Sequence, residues 1–584
     1  MNEQAMLHVP ESKYCFAENA KTIVLRLRTA KEDAPDEINV VYGGKYDIQH
    51  EQQRASMKLA RSDRLYSYYE SKLELKDVRF VYVFEVKEDG KTSFYSEDGL
   101  SGTYDFTLAY YNSFQYPYIN KIDVHEMVPW MRKAVFYQIF VDRFNRGDKF
   151  KDDSYINMEW GEIPNPKSFA GGDIKGITEK IGYLSSLGVN VIYLTPLFKS
   201  ISNHKYDISD YFSIDPHFGS NGDFRELVDK AHGAGIRVVM DAVFNHCSDR
   251  LYQFKDVLEK GQDSKYFDWF IINGSRPDPK LVNYECFGGC SYMPKFNTSN
   301  PEVKDYLLNV ALHWIKEYDI DGWRLDVSDE VSHDFWRSFR SAVKSAKPSC
   351  VIIGENWHDA NPCLNGDQFD GIMNYAFTKA CLDFFSTETL DAEGFSDKLN
   401  SLLMRNTNQV NAMMLNLLDS HDTHRFLTMV EGDEEKLASA LAVLFMFQGA
   451  PCVYYGTEIA MLGGYDPDSR RTLDWEKASV NNPISTLIQD LAKLKERPEI
   501  QTDNISITHE DGLLQIERRD SGKALRLTLN NSSKPAKHNA SGQPLAKLNY
   551  EDGELGKLGF VVESFAIKPS VQIKVVQVES MSSL

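Results

Sequence analysis

The sequence has no apolar run approaching the roughly 18 residues that cross a bilayer as a helix, which excludes a helical membrane span. Its first residues, Met1 to Pro10, lack a basic segment followed by an apolar one, so no secretory signal is expected and the chain reads as cytoplasmic. Positive charge is scarce: 65 Lys and Arg stand against 85 Asp and Glu, a net charge of −20. Such a surface repels polyanions and excludes nucleic acid and anionic membrane as partners. Only 8 of 584 residues are cysteine, and they are scattered instead of packed as in a disulfide scaffold, so free thiols in a reducing compartment are expected. Cys286 and Cys290, with His246 and Cys247 upstream, lack both the spacing and the second pair of a zinc site. Internal repeats and low-complexity tracts are also absent.

What the sequence does have is two kinds of pattern. Residues 1–122 alternate apolar and polar in short runs such as Thr22 to Leu27 and Val78 to Val86, punctuated by turn residues, which predicts an N-terminal β-sandwich. From Ala134 the runs become wholly apolar and each is followed by a helical stretch, the pattern of parallel strands buried on both faces. Eight such runs occur: Ala134 to Phe140, Val189 to Leu194, Ile236 to Val243, Gly322 to Val327, Val351 to Glu355, Gly371 to Tyr375, Met413 to Leu418 and Cys452 to Tyr455. Eight strand and helix units over residues 123–500 predict a (β/α)8 TIM barrel. The long interval after the third strand, about 245–300, is rich in Phe, Tyr, Gly and Pro and predicts a subdomain inserted over the barrel mouth. Residues 501–584 return to alternating strands, such as Leu513 to Arg518 and Val571 to Val578, and predict a C-terminal β-sandwich.

Active sites of such barrels lie at the C-terminal ends of the strands. There the third strand ends Asp241-Ala242-Val243-Phe244-Asn245-His246, and the fourth carries Arg324 and Asp326. The fifth ends Glu355-Asn356-Trp357, and the seventh His421-Asp422. Strand period 2 puts Arg324 and Asp326 on one face, with Trp323 and Leu325 towards the helices. An adjacent guanidinium lowers a carboxyl pKa and burial raises it, so Asp326 suits a nucleophile held ionised and Glu355 an acid. A single Arg-x-Asp reads more readily as a structural ion pair; four polar strand ends together favour a site. Tyr206, Phe287 and Trp357 are candidate platforms for sugar rings, against the plain alternative of core packing.

Asp-Ala-Val-Phe-Asn-His, Gly-Trp-Arg-Leu-Asp, Gly-Glu-Asn-Trp and Ser-His-Asp-Thr together resemble the four sequence regions of the α-amylase family, over roughly residues 130–475. Met293-Pro294-Lys295-Phe296-Asn297 resembles the signature of its neopullulanase, cyclomaltodextrinase and maltogenic amylase group, as does the N-terminal β-domain. The resemblance implies retaining hydrolysis of α-1,4-glucosidic bonds in cyclodextrins, pullulan or malto-oligosaccharides. In it Asp326 is the nucleophile, Glu355 the acid and then base, and Asp422 the carboxylate that binds sugar hydroxyls. It further implies that Asp241, His246, Arg324 and His421 bind the same sugar, joined by His204 and Tyr206 of His-Lys-Tyr-Asp. Asp466 and Arg470, in Gly463 to Arg471, would meet the non-reducing end of the glucan.

Departures from the pattern fall at Ser328-Asp329, Asn356 and Asp419, and bear on substrate preference and on hydrolysis against transfer. No cofactor is required. Relatives hold Ca²⁺ with a segment that corresponds here to Asn145, Asp148, Asp152 and Asp153, together with Gly171 and Asp173. Arg146 and Lys151 interrupt it with cations that supply no oxygen ligand, which counts against a tight calcium site. Rival readings are an α-1,6-glucosidase or other α-glucan-transforming enzyme on the same barrel, and a non-catalytic glucan-binding relative. Relatives with this domain order commonly pair, and the aromatic run Tyr110 to Tyr118 would serve such a homodimer, its alternative being to pack the domain onto its own barrel.

Overall fold

A computed structural model describes residues 1–478 and 482–567. The expected strand Val571 to Val578 lies outside the described residues. Between Cys15 and Tyr116 two antiparallel sheets face one another. Their inward residues, among them Ile23, Leu25, Leu27, Val40, Phe80, Tyr82 and Phe84, form one core, as the alternation requires. Arg26 anchors this sandwich to the barrel: its buried guanidinium donates to Asn406 O at 2.8 Å and to Asn408 Oδ1 at 2.6 Å.

The eight apolar runs become eight parallel strands: Phe136–Ile139, Val191–Leu194, Arg237–Ala242, Gly322–Leu325, Val351–Gly354, Gly371–Ile372, Leu415–Leu417 and Ala450–Tyr454. Each pairs with its successor, the first pairs with the eighth, and a parallel bridge between Met373 and Leu415 closes the barrel between the sixth and seventh. Most strands are shorter than the apolar runs because the chain leaves the ladder at its C-terminal end, where the polar residues begin. Glycine at the start of the fourth strand is obligatory, since a Cβ on Gly322 would lie 2.5 Å from Val351 Cγ1. Inside the barrel, Phe136, Tyr193, Val239, Ile353, Met373, Leu417 and Cys452 interdigitate, so the interior is a packed core. Trp323 and Leu325 point outwards into the helix layer.

After the third strand, the segment to Asn300 folds around the helix Tyr252–Lys260 and a set of aromatics, Phe254 with Phe270 and Tyr284, and Phe270 with Phe296. An isolated bridge from His246 to Lys295 ties it to the barrel rim, and another from Cys286 to Pro294 closes it on itself. The C-terminal region is a six-stranded antiparallel sheet, one face of which packs on the helix Glu434–Met446 and the other around Leu513, Tyr550, Leu555 and Val561. All eight cysteines are free. No helix among the described residues is long and apolar enough to cross a membrane.

Candidate active site

A cleft of about 790 Å³ opens at the C-terminal end of the barrel strands. It is lined by Asp326, Glu355 and Asp422 together with His204, Tyr206, His246, Phe287, Trp357, Asp466 and Arg470. Asp241, Arg324 and His421 lie just beneath, fully buried.

Arg324 is the hub. Its Nη1 donates to Asp326 Oδ1 at 2.9 Å and to Asp241 Oδ2 at 3.1 Å. Its Nη2 lies 2.8 Å from Glu355 Oε2 and 3.8 Å from Asp422 Oδ2. The Nη2 contacts lack hydrogen-bond alignment, so they act as charge attraction, whereas the Asp326 bond is directed. One guanidinium thereby gathers four carboxylates from four strands, which no residue close in sequence could do. Asp326 Oδ2 is buried, has no partner, and belongs to a side chain that lines the cleft.

Backbone geometry supports this cluster. Val327 sits in the left-handed region at φ 45°, uncommon for a β-branched residue. That turn delivers its N–H to Glu355 Oε2 at 2.9 Å, so the nucleophile candidate's neighbour orients the acid candidate.

Burial lifts the Asp326 carboxyl well above its ordinary value, with Glu355 adding to the rise and Arg324 opposing it. Glu355 is raised by burial and then by Asp422, again against Arg324. Burial also lifts Asp241 to about 6. The sequence reading expected Arg324 to hold Asp326 low; shared among four carboxylates in a dry site, one guanidinium does not offset their desolvation and mutual repulsion. Both carboxyls therefore keep their protons to higher pH than free Asp and Glu do.

The histidines are neutral. Burial drives His246 down to about 3, His204 to about 4 and His421 well below its usual value. Gln138 Nε2 donates to His421 Nδ1 at 2.7 Å, which leaves the ring proton on Nε2, facing the Tyr206 hydroxyl at 2.6 Å and Asp422 Oδ2 at 3.2 Å. Tyr206 and Tyr193 both donate to Asp241 Oδ2, at 3.1 and 2.6 Å. His246 stacks on Phe287 with centroids 4.8 Å apart, and its buried Nε2 has no protein partner. A sugar hydroxyl is the kind of group that such an atom requires.

At one end Arg470 joins Asp466 at 2.9 Å and Asp422 at 3.4 Å. At the other, Trp357 is 44% exposed and stacks flat on Tyr375 at 3.7 Å. Gln138, Tyr193 and Tyr375 escaped the sequence reading. Gln138 carried a signal, being the one polar residue of the strand Phe136–Ile139; the tyrosines carried none, since aromatics fill cores as readily as sites. The calcium candidates lie apart from the cluster. Gly171 and Asp173 meet at the ammonium of Lys151.

A closed (β/α)8 barrel whose strand ends converge a trio of carboxylates on one arginine defines a glycoside hydrolase of the barrel type. The family described as "Alpha amylase, catalytic domain" matches residues 138–506, and "Alpha amylase, N-terminal ig-like domain" matches residues 1–120. The chain belongs to the alpha-amylase family. It is 44% identical to a cyclomaltodextrinase of Thermoanaerobacter pseudethanolicus, over 91% of this chain and 93% of the relative. It is 41% identical to the intracellular maltogenic amylase of Bacillus subtilis, over 85% of each. A solved cyclomaltodextrinase structure superposes with a TM-score of 0.88 at 36% identity, covering 97% of this chain and 98% of that one.

Proposed function

We propose that this protein hydrolyses α-1,4-glucosidic bonds of cyclodextrins, pullulan and malto-oligosaccharides with retention of configuration. The observation that carries the reading is the unpartnered Asp326 Oδ2 in a cleft shared with Glu355 and Asp422. The directed hydrogen bond from Arg324 falls on Asp326, which favours charge there and leaves the proton to Glu355. Glu355 then protonates the departing glycosidic oxygen while Asp326 Oδ2 attacks the anomeric carbon, forming a glycosyl ester. Glu355, now a carboxylate, takes a proton from water, which attacks the same carbon and releases Asp326. Asp422 and the Nε2 proton of His246 hold the hydroxyls of the reacting ring, with His421 behind them fixing Tyr206 and Asp422, and these bonds tighten as positive charge builds at the ring. Cyclic and short glucans are favoured by a cleft lined by the Asp466–Arg470 pair together with Phe287 and Trp357. The same assignment makes calcium unnecessary for chemistry.

A cytoplasmic site of action is supported by the Bacillus subtilis relative, itself named intracellular. A homodimer is supported by the aromatic run: Tyr111 is 84% exposed, and Tyr110 and Tyr118 are exposed beside it. Parallel digestion of β-cyclodextrin, pullulan, isomaltose and maltotriose, with NMR of the first product, tests the reading. The expected result is α-anomers from the first two and from maltotriose. An initial β-anomer overturns the double displacement, and preferential cleavage of isomaltose overturns the bond assignment. Light scattering on the 66.7 kDa chain should give twice that mass.

A further inference from the structure

Lys151 ends where a metal ion would. Its Nζ lies 2.8 Å from Asp173 Oδ2, 2.6 Å from Gly171 O and 3.2 Å from His217 O. The ammonium donates hydrogen bonds to the two carbonyls and meets the carboxylate as an ion pair. The pair is desolvated, with Lys151 only 7% and Asp173 1% exposed. Calcium asks for six to eight oxygens at about 2.3–2.6 Å, and the side chains of the other candidate residues are engaged in contacts of their own. Asn145 donates its amide to Gly176 O at 3.1 Å, Asp148 pairs with Lys175 at 2.7 Å, Asp152 accepts the Ser154 N–H at 2.9 Å, and Asp153 pairs with Arg146 at 3.2 Å. A divalent ion bound by Gly171 O and Asp173 would stand against the Lys151 ammonium, where like charges in a dry site repel strongly. These residues do not fit calcium.

We propose that the Lys151 ammonium is the resident cation of this loop, performing the structural task of a divalent ion so that the wall of the cleft is held without one. The loop it secures leads directly to the substrate site. Gly171 N and Ala170 N donate to the Asp142 carboxylate at 3.0 and 2.9 Å. Asp142 pairs with Arg143 at 2.6 Å, and Arg143 Nη1 donates to Arg470 O at 2.8 Å. Asp173 completes the arrangement by accepting the backbone N–H groups of Gly147, Asp148 and Gly176, the last capping the helix Ile174–Glu179. His217, whose carbonyl is the third acceptor, is fixed by stacking on Tyr155 at 3.7 Å and by the Tyr155 hydroxyl at 3.1 Å. A single positive charge matches the single buried carboxylate, so the cluster is neutral without recruiting more acids.

The test is thermal unfolding of the full chain after exhaustive EDTA treatment and again with millimolar CaCl2, alongside metal analysis of the untreated protein. The expected result is one Tm in both conditions and no stoichiometric calcium. Lys151→Met, which keeps the aliphatic stem and removes the charge, should lower Tm by about 5 °C, because it leaves Asp173 buried and unpaired. A wild-type Tm that falls with EDTA and returns with CaCl2, or one calcium per chain in the untreated protein, overturns the proposal. So does a Lys151→Met protein with unchanged Tm. The wild-type measurement decides the matter even if the variant does not fold.

Discussion

Replacing Glu355 with glutamine separates acid catalysis from the rest of the site. Glu355 Oε2 accepts the Val327 N–H at 2.9 Å and also faces Arg324 Nη2 at 2.8 Å. An amide oxygen can occupy that position and keep both contacts, with the new NH2 group turned to the cleft. The fold and Asp326 are thereby preserved, and the perturbation is confined to the lost proton. A positioned general acid contributes about 10²–10⁴-fold, or about 3–5 kcal/mol of barrier, and kcat on maltotriose or β-cyclodextrin should fall by that factor. An aryl glucoside with an acidic phenol needs no proton to depart, so its first step should slow by less than about tenfold. The pH profile gives a second readout. Burial and Asp422 raise the folded Glu355 carboxyl above the ordinary value, so its proton is retained into a higher pH range than for a free glutamate. Activity that depends on the protonated form is full below the raised value and lost as pH rises through it. Wild-type kcat/KM should show this basic limb on maltotriose and little of it on the aryl substrate, and Glu355→Gln should show none on either. Equal losses on both substrates, or an unchanged basic limb, would refute the assignment of the proton to Glu355.

Asp326→Asn should lower kcat by at least about 10⁴-fold on every substrate, since no alternative nucleophile shares its place beside Arg324. Its stability should move the other way. A folded carboxyl raised by burial costs stability above its folded value and costs nothing below its unfolded one, so the variant should melt higher than wild type at neutral pH, with the gain shrinking as pH falls; a lower Tm at neutral pH would contradict the charge balance drawn here. Trp357→Ala removes the exposed face of the Tyr375 stack and should raise KM for β-cyclodextrin by up to about tenfold with kcat little changed, measured by steady-state kinetics. Arg26→Ala, which strips two hydrogen bonds from the N-terminal sandwich to Asn406 and Asn408 and two within the sandwich to Glu70 and Lys13, should cost about 3–5 kcal/mol in denaturant unfolding while sparing kcat/KM on maltotriose.

The clustered carboxylates were legible as candidates because each ends a strand whose apolar run is itself conspicuous, and strand period 2 assigns Arg324 and Asp326 to one face. The barrel followed from eight such runs, and the sandwich from alternation in residues 1–122, because buried parallel strands and half-exposed antiparallel strands impose different hydrophobic periods. What the sequence could not decide is energy that depends on distance across strands. It favoured an ionised Asp326 on the strength of one neighbouring arginine, whereas closing the barrel brings Asp241, Glu355 and Asp422 to the same guanidinium, and burial outweighs the pairing. Tyr193 and Tyr375 likewise became site residues only once the barrel set one against Asp241 and the other beneath Trp357. At the calcium-like loop the sequence identified Lys151 as an unsuitable ligand and went no further. Only the tertiary structure brought Gly171, Asp173 and His217, distant along the chain, around its ammonium, because three acceptors converge on one point only when the backbone between them has folded.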